Sequence, residues 1–152
     1  MTKPASPSPS AREAQQCLMS RTWREILQEM VNASGLWAAV LTDFQGLPFA
    51  HAFSESWLER NEYERQFVVD ILAAFAPPLL RTGGQLKQYV GAFNLDEISI
   101  RTKSGARIVS SIFEWRNTPL ILTILVPPRR YYRRILKRTI RKLRSLDGST
   151  LP

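Results

Sequence analysis

The chain has 152 residues, of which 44% are hydrophobic and 22% charged, with a formal net charge of +8. This composition indicates one globular domain and excludes a disordered or fibrous chain. Its single cysteine excludes an internal disulfide or a cysteine-rich zinc site, and its single histidine argues against a histidine metal site. No run reaches the about 20 apolar residues of a membrane span, and residues 1–10 lack the apolar core of a secretory signal. We therefore expect a cytoplasmic protein.

The positive charge is concentrated in one segment. Residues 129–144 contain nine basic residues and no acidic one, whereas the rest of the chain contains 12 basic and 13 acidic residues. Seven of the nine are arginines, which bind phosphate and carboxylate groups through paired hydrogen bonds. The segment thus indicates a local surface for phosphates, anionic lipid or an acidic protein.

The domain is predicted to cover residues 11–146. Residues 1–10 are rich in proline and serine and predict a flexible tail, and we also expect residues 147–152 to be flexible. Apolar residues at helical spacing predict a first helix over 11–33, with Gly35 just past its end.

A β-hairpin follows. Residues 36–41 and 47–53 are short apolar runs on either side of a turn that contains Asp43 and Gly46. Pro48 has no backbone donor, which favours an edge position for the second strand.

The next segment predicts a long helix over 54–76, ended by Pro77-Pro78, and then an irregular connection over 79–90. On a helical wheel, the apolar positions of this helix cover well over half of the circumference, whereas a surface helix needs an apolar stripe of only about 100° or a little more. A partner subunit is the simplest cover for the excess. We assign its large apolar side chains to core or dimer contacts: Trp57, Tyr63, Phe67, Ile71 and Phe75.

Three strands and a last helix complete the domain. The strands are predicted over 96–102, 107–115 and 120–126, and the last is apolar on both faces, which indicates a central strand. The helix over 129–146 would be about 27 Å long, with an apolar stripe and a basic face. The residues of this candidate anion or acidic-partner patch are Arg130, Arg133, Arg134, Lys137, Arg138 and Arg141. The predicted fold class is α+β, a five-stranded antiparallel sheet with helices on both faces.

This order of elements resembles the roadblock family, the dynein-light-chain type of small homodimeric domain. The resemblance rests on the hairpin over 36–50 with its Asp43…Gly46 turn, the long second helix, and the strand run over 95–126. It covers residues 22–146. The basic last helix and the proline-rich tail depart from the usual pattern, which argues for an added partner.

The resemblance implies an α/β/α sandwich of strand order 2-1-5-4-3, with the second helix on one face and the first and last helices on the other. It also implies a homodimer in which third strands pair edge to edge and second helices pack together, which would place Ile98 and Ile100 at the interface. Family members act as adaptors and as regulators of Ras-like small GTPases.

No enzymatic site is predicted. His51 has no nucleophile and acid near it in the sequence, and we expect a structural or exposed side chain. Gly83-Gly84 lacks the spacing of a phosphate-binding loop, and Asp96-Glu97 is too isolated for a carboxylate pair. We therefore expect no catalytic residue, cofactor or metal.

Two functions remain as hypotheses. The first is a non-enzymatic homodimeric adaptor that binds or regulates a small Ras-like GTPase. The alternative is a scaffold that binds a membrane surface or polyanion through the basic helix, peripheral to the membrane. Nucleic-acid binding ranks lower because no reader motif accompanies the helix.

Overall fold

A computed structural model describes residues 9–91 and 96–146. Residues 1–8 of the predicted tail and the predicted flexible end over 147–152 lie outside the described residues. The first helix begins at Pro9, two residues before the predicted start.

The elements, in chain order, are α1 Pro9–Ser34, β1 Ala38–Asp43, β2 Pro48–Phe53, α2 Glu55–Asn61, α3 Arg65–Ala73, α4 Ala76–Gln85, a π-helical turn at Leu86–Val90, β3 Glu97–Arg101, β4 Arg107–Trp115, β5 Thr118–Val126 and α5 Arg133–Ser145. The strands form one five-stranded sheet of order β2-β1-β5-β4-β3, and every neighbouring pair is antiparallel. The predicted sheet order, the edge position of β2 and the central position of β5 are confirmed.

Helices cover both faces of the sheet, as predicted. On one face α1 and α5 pack on alternate residues of β5, and the largest cluster of buried residues lies there. On the other face α2 and α3 pack on β1, and α4 packs on Ile121 of β5. Because β5 is apolar on both sides, this strand contributes to both cores.

The first hairpin has the predicted turn chemistry. The Asp43 carboxylate accepts hydrogen bonds from the backbone N–H groups of Gln45 and Leu47, at 2.8 and 2.9 Å. Gly46 has a φ of +86°, and a Cβ there would lie 3.1 Å from the carbonyl oxygen of Ala73. Glycine therefore allows both the turn and the close approach of α3.

The prediction of one continuous helix over 54–76 is wrong. The helix is interrupted at Glu62, which takes a left-handed φ of 54°, so that α2 ends there and α3 begins at Arg65. Asn61 donates from its side chain to the Trp57 carbonyl at 2.8 Å, which occupies a carbonyl of the last turn of α2.

The predicted irregular connection over 79–90 is also wrong. Pro77 and Pro78 occupy the first turn of α4 instead of ending a helix, and the π-helical turn continues α4 to Val90. Proline is tolerated in a first turn because the N–H groups of that turn have no helical acceptor. Gly83 and Gly84 lie within α4 and form no loop.

The last helix is shorter than predicted. Arg129 takes a left-handed φ of 64°, and α5 begins at Arg133. Its 13 residues span about 20 Å instead of 27 Å. Arg129 and Arg130 therefore belong to the loop that joins β5 to α5.

Candidate functional site

The face that carries α3 leaves large apolar side chains in solvent. Tyr63, Phe67 and Ile71 are 48%, 58% and 45% exposed, and Ile100 on β3 is 44% exposed. Phe75 and Ile98 are half-buried beside them. We call these six residues the apolar strip; it contains every residue predicted for the dimer or partner interface except Trp57.

Trp57 lies in the core of that face and is 6% exposed. Its indole stacks on Trp37 with ring centroids 5.6 Å apart, and Tyr63 leans against it at 5.2 Å. Of the two roles predicted for Trp57, core or dimer contact, its position in this chain is that of a core residue that supports Tyr63.

A groove runs between the part of the apolar strip that lies on the helices and the part that lies on β3. It has a volume of about 540 Å³, and its walls come from α3 and α4 on one side and from β3 and β4 on the other. Only Thr82 and Ser110 among its lining residues are polar; the others are Ile71, Ala74, Phe75, Pro78, Leu79, Ile98, Ile100 and Ile108. Such a lining favours an apolar partner over a charged ligand.

Sequence reasoning missed the α4 side of this groove. Leu79 and Thr82 fall in the predicted irregular connection and Pro78 in the proline pair predicted to end the preceding helix, so the prediction placed no side chains facing β3 from there. The apolar residues Ala76, Leu79 and Leu80 recur at helical spacing, and that signal was available in the sequence.

The strand beside the groove has a free edge. Ile112 N–H donates to the Asp96 carbonyl and Thr102 N–H donates to the Ala106 carbonyl, at 2.9 and 2.8 Å. Because antiparallel pairs alternate in their hydrogen bonding, the backbone groups of Glu97, Ser99 and Arg101 point away from β4. No described strand pairs with this edge of β3.

The outer side of α5 is basic along its length. Arg133, Arg134, Lys137, Arg138 and Arg141 are exposed, while Leu136, Thr139 and Leu143 are buried against the sheet. Lys142 forms an ion pair with Glu29 of α1, at 3.6 Å. Five of the six predicted patch residues therefore share one helix.

Arg130 does not lie on that helix. Its guanidinium carbon is 3.0 Å from the position that a Cβ on Gly35 would occupy, so the charge lies at the C-terminal end of α1. A cation is favourable there because the helix dipole is negative at that end.

A side-chain network anchors the start of α5 to the sheet. Tyr132 is buried and donates from its hydroxyl to Glu97 of β3 at 2.7 Å. Burial and this hydrogen bond raise the pKa of Tyr132. The guanidinium of Arg107 lies 4.9 Å from the centre of the Tyr132 ring and donates to the Arg130 carbonyl.

His51 is half-buried on β2, next to Phe53. Burial lowers its pKa, and the positive charges of Arg24 and Arg65 lower it further. In the described part of the chain, no group of three or more His, Cys, Asp or Glu residues is placed to hold a metal ion.

The helical stretch Arg65–Val90 is, within the described ranges, the one that is long and apolar enough to cross a membrane by length and composition. Val69, Leu72 and Leu79 of this stretch are buried against the sheet. Phe67 and Ile71 of the apolar strip lie on the exposed side of this stretch.

The sheet order and the placement of the helices are those of the roadblock fold. No protein-family profile matches the chain, and no curated protein matches it. Solved structures with the same fold include the gliding protein MglB of Thermus thermophilus, at 16% identity and a TM-score of 0.66, with 83% of this chain and 88% of that one covered. Myxococcus xanthus MglB is similar at 11% identity and a TM-score of 0.67, over 88% and 92%.

A roadblock/LC7 domain from Streptomyces avermitilis is similar at 13% identity and a TM-score of 0.61, over 80% of this chain and 92% of that one. A further structure, of MglB in a tetrameric arrangement, is similar at 15% identity and a TM-score of 0.59, over 84% and 85%. These likenesses confirm the roadblock fold.

Proposed function

We propose that this protein is a non-enzymatic homodimeric adaptor of the cytoplasm that binds or regulates a small Ras-like GTPase. The observation that carries the proposal is the apolar groove beside the free edge of β3. An unpaired strand edge exposes a row of backbone donors and acceptors, and an apolar surface beside it favours a protein partner.

A second copy of the chain fits both features at once. Two β3 edges that pair antiparallel would satisfy the outward backbone groups of Ser99 and its neighbours. The same approach would bring the two apolar strips together and remove Ile100 and Ile71 from water. Self-association of a similar fold is recorded for MglB, which has been solved in a tetrameric arrangement.

The GTPase part of the proposal rests on the roadblock fold and on the resemblance of the sequence to that family. Two copies joined at β3 would present α3 and α4 side by side as a broad platform. Because the sequence predicts no catalytic residue, we expect any effect on hydrolysis to come from positioning the GTPase's own residues.

Sedimentation of the full chain at micromolar concentration tests the homodimer. Ser99→Pro removes an outward N–H without removing a bond to β4, and Ile100→Lys places a charge in the groove. Each change should weaken the dimer about tenfold or more, the factor that about 1.4 kcal/mol represents. Leu47→Lys, 60% exposed on the first hairpin, is the matched control and should leave the dimer unchanged. A folded wild-type chain that stays monomeric would contradict the proposal.

Calorimetry with small Ras-like GTPases encoded in the same genome, loaded with GDP or GTP, tests the partner. We expect binding that depends on the nucleotide. Absence of binding in both nucleotide states, with an intact dimer, would reject the GTPase and retain the homodimer.

The exposed basic side of α5 supports a second candidate, a scaffold peripheral to an anionic membrane. Each arginine near such a surface contributes about 1 kcal/mol at low salt. Flotation with vesicles that contain phosphatidylglycerol should capture the protein, and capture should fall when Arg134, Arg138 and Arg141 are replaced by Glu. Capture that is indifferent to salt and to these changes would reject this candidate.

A further inference from the structure

A second basic site lies at one end of the sheet, separate from the outer side of α5. The β3–β4 turn and the β5–α5 loop enclose a cleft of about 470 Å³. Its lining residues are Arg101, Ser104, Gly105, Arg107, Pro128, Arg129, Arg130 and Tyr131. The lining contains four arginines and no acidic residue.

Strand pairing brings these two segments together. Arg107, the first residue of β4, pairs with Arg101 on β3 and with Val126, the last residue of β5. The loop that leaves β5 therefore starts beside the β3–β4 turn. The two segments are adjacent, since the Pro128 side chain lies 3.5 Å from the position that a Cβ on Gly105 would occupy, and Gly105 itself has a φ of +92°.

In the described part of the chain, no ion pair neutralises the arginines of the cleft. The ion pairs found among residues 21–91 and 96–146 join Arg21 to Glu25, Arg65 to Glu55 and Lys142 to Glu29, and none includes Arg101, Arg107 or Arg129. Glu97, the carboxylate on the same strand as Arg101, accepts the hydrogen bond of Tyr132. An anion that entered the cleft would therefore meet guanidinium groups that form no ion pair with another described residue.

Several contacts hold the cleft in place before any ligand arrives. The β3–β4 turn is closed by the hydrogen bonds from Thr102 to Ala106 and from Gly105 to Thr102, at 2.8 and 3.0 Å. Arg107 is fixed by the Tyr132 ring and the Arg130 carbonyl. Arg129 takes a left-handed φ of 64°, a conformation that is uncommon for a residue with a side chain.

We propose that this cleft, the arginine cleft, binds a phosphomonoester. A phosphomonoester carries nearly two negative charges and three terminal oxygens at neutral pH, whereas a carboxylate or a phosphodiester carries one charge. Guanidinium groups match such oxygens with paired hydrogen bonds, and Arg107 has donors left after its bond to Arg130. The volume suits a phosphorylated group of the size of a sugar or a lipid headgroup.

The experiment uses the full chain and two double variants of equal net charge. Arg101→Gln with Arg129→Gln alters the cleft, and both residues are exposed. Arg134→Gln with Arg138→Gln removes the same charge from the outer side of α5. In the soluble arm, glycerol 3-phosphate and inorganic phosphate are titrated at constant ionic strength while the backbone amide resonances are recorded. In the vesicle arm, flotation compares phosphatidic acid, a monoester, with phosphatidylglycerol, a diester.

We expect the largest amide shifts at Ser104, Gly105, Arg129 and Tyr131. The cleft variant should bind the soluble monoesters about tenfold or more weakly, as expected for the loss of charge-assisted hydrogen bonds, and the α5 variant less than twofold more weakly. Phosphatidic acid capture that exceeds phosphatidylglycerol capture and requires the cleft arginines identifies a lipid headgroup as the source. Soluble binding without that preference identifies a free phosphorylated compound.

Two results would overturn the proposal. One is the absence of cleft-dependent binding in both arms. The other is an equal loss in the two double variants, because a diffuse basic surface would then explain the binding.

Discussion

The two faces of the sheet are covered to different degrees. On the face of α1 and α5, side chains from both helices and from four strands form one buried cluster, and the outer side of α5 is charged. On the face of α2, α3 and α4, buried residues fall into two smaller clusters, and Phe67 and Ile71 remain exposed. The comparison indicates that the chain completes the first core by itself, whereas the second face has apolar surface left for a partner.

The largest expected difference is between truncating a side chain in the core under α1 and α5 and truncating one on the apolar strip. Leu122→Ala removes a fully buried side chain from β5 and should destabilise the fold by about 2–5 kcal/mol. Phe67→Ala, on a side chain that is 58% exposed, should change the stability of the monomer by less than about 0.5 kcal/mol.

Urea denaturation at low protein concentration measures both changes, and circular dichroism checks the folded state of each variant. A loss for Phe67→Ala as large as that for Leu122→Ala would show that the two faces are equally complete within one chain. A Phe67→Ala loss that grows with protein concentration would instead locate the residue in a self-association interface.

A smaller effect is expected at the polar pair below the groove. Ser110 and Thr123 are buried on adjacent strands, and their hydroxyl oxygens are 2.8 Å apart. Thr123→Val leaves the Ser110 hydroxyl without this partner and should cost about 1–3 kcal/mol of unfolding free energy. The double variant Ser110→Ala with Thr123→Val should recover part of the loss, and thermal unfolding of the three variants checks it.

The smallest effect concerns the network at the start of α5. Tyr132→Phe removes the hydrogen bond to Glu97 and should destabilise the fold by about 1 kcal/mol at neutral pH. The folded state raises the pKa of Tyr132, so the protonated phenol contributes stability that is fully present below about pH 10 and is lost at higher pH.

Chemical denaturation of both proteins between pH 8 and pH 11 separates these contributions. The difference in unfolding free energy between wild type and Tyr132→Phe should shrink above about pH 10. A difference that stays constant up to pH 11 would contradict the role of the phenol proton.

Periodicity in the sequence was sufficient to predict the five strands of the sheet. The bounds of β4 were predicted correctly, and β1, β2, β3 and β5 were each found with small shifts at their ends. The apolar residues on both faces of β5 predicted its central position, and Pro48 predicted the edge position of β2. These patterns are readable because a strand alternates its side chains between two faces and a proline has no donor for a second neighbour.

The helix boundaries could not be predicted in the same way. Glu62 and Arg129 take left-handed φ values, and neither is a glycine or an asparagine, so no residue type marks these breaks. A proline pair is compatible both with the end of one helix and with the first turn of the next. Pro77-Pro78 alone therefore could not distinguish an irregular connection from α4.

The sequence by itself determined the five strands, the excess of apolar residues before Pro77 and the concentration of arginine after Pro128, whereas its resemblance to the roadblock family implied the strand order. Only the tertiary structure showed that Trp57 is a core residue while its neighbours in the apolar strip are exposed. It also showed that Arg130 lies at the end of α1 and not on the outer side of α5. It also brought Arg101 and Arg107 beside Arg129. The physical reason is that composition and periodicity record which side chains a local element must bury, whereas antiparallel pairing between distant strands decides which loops share one end of the sheet.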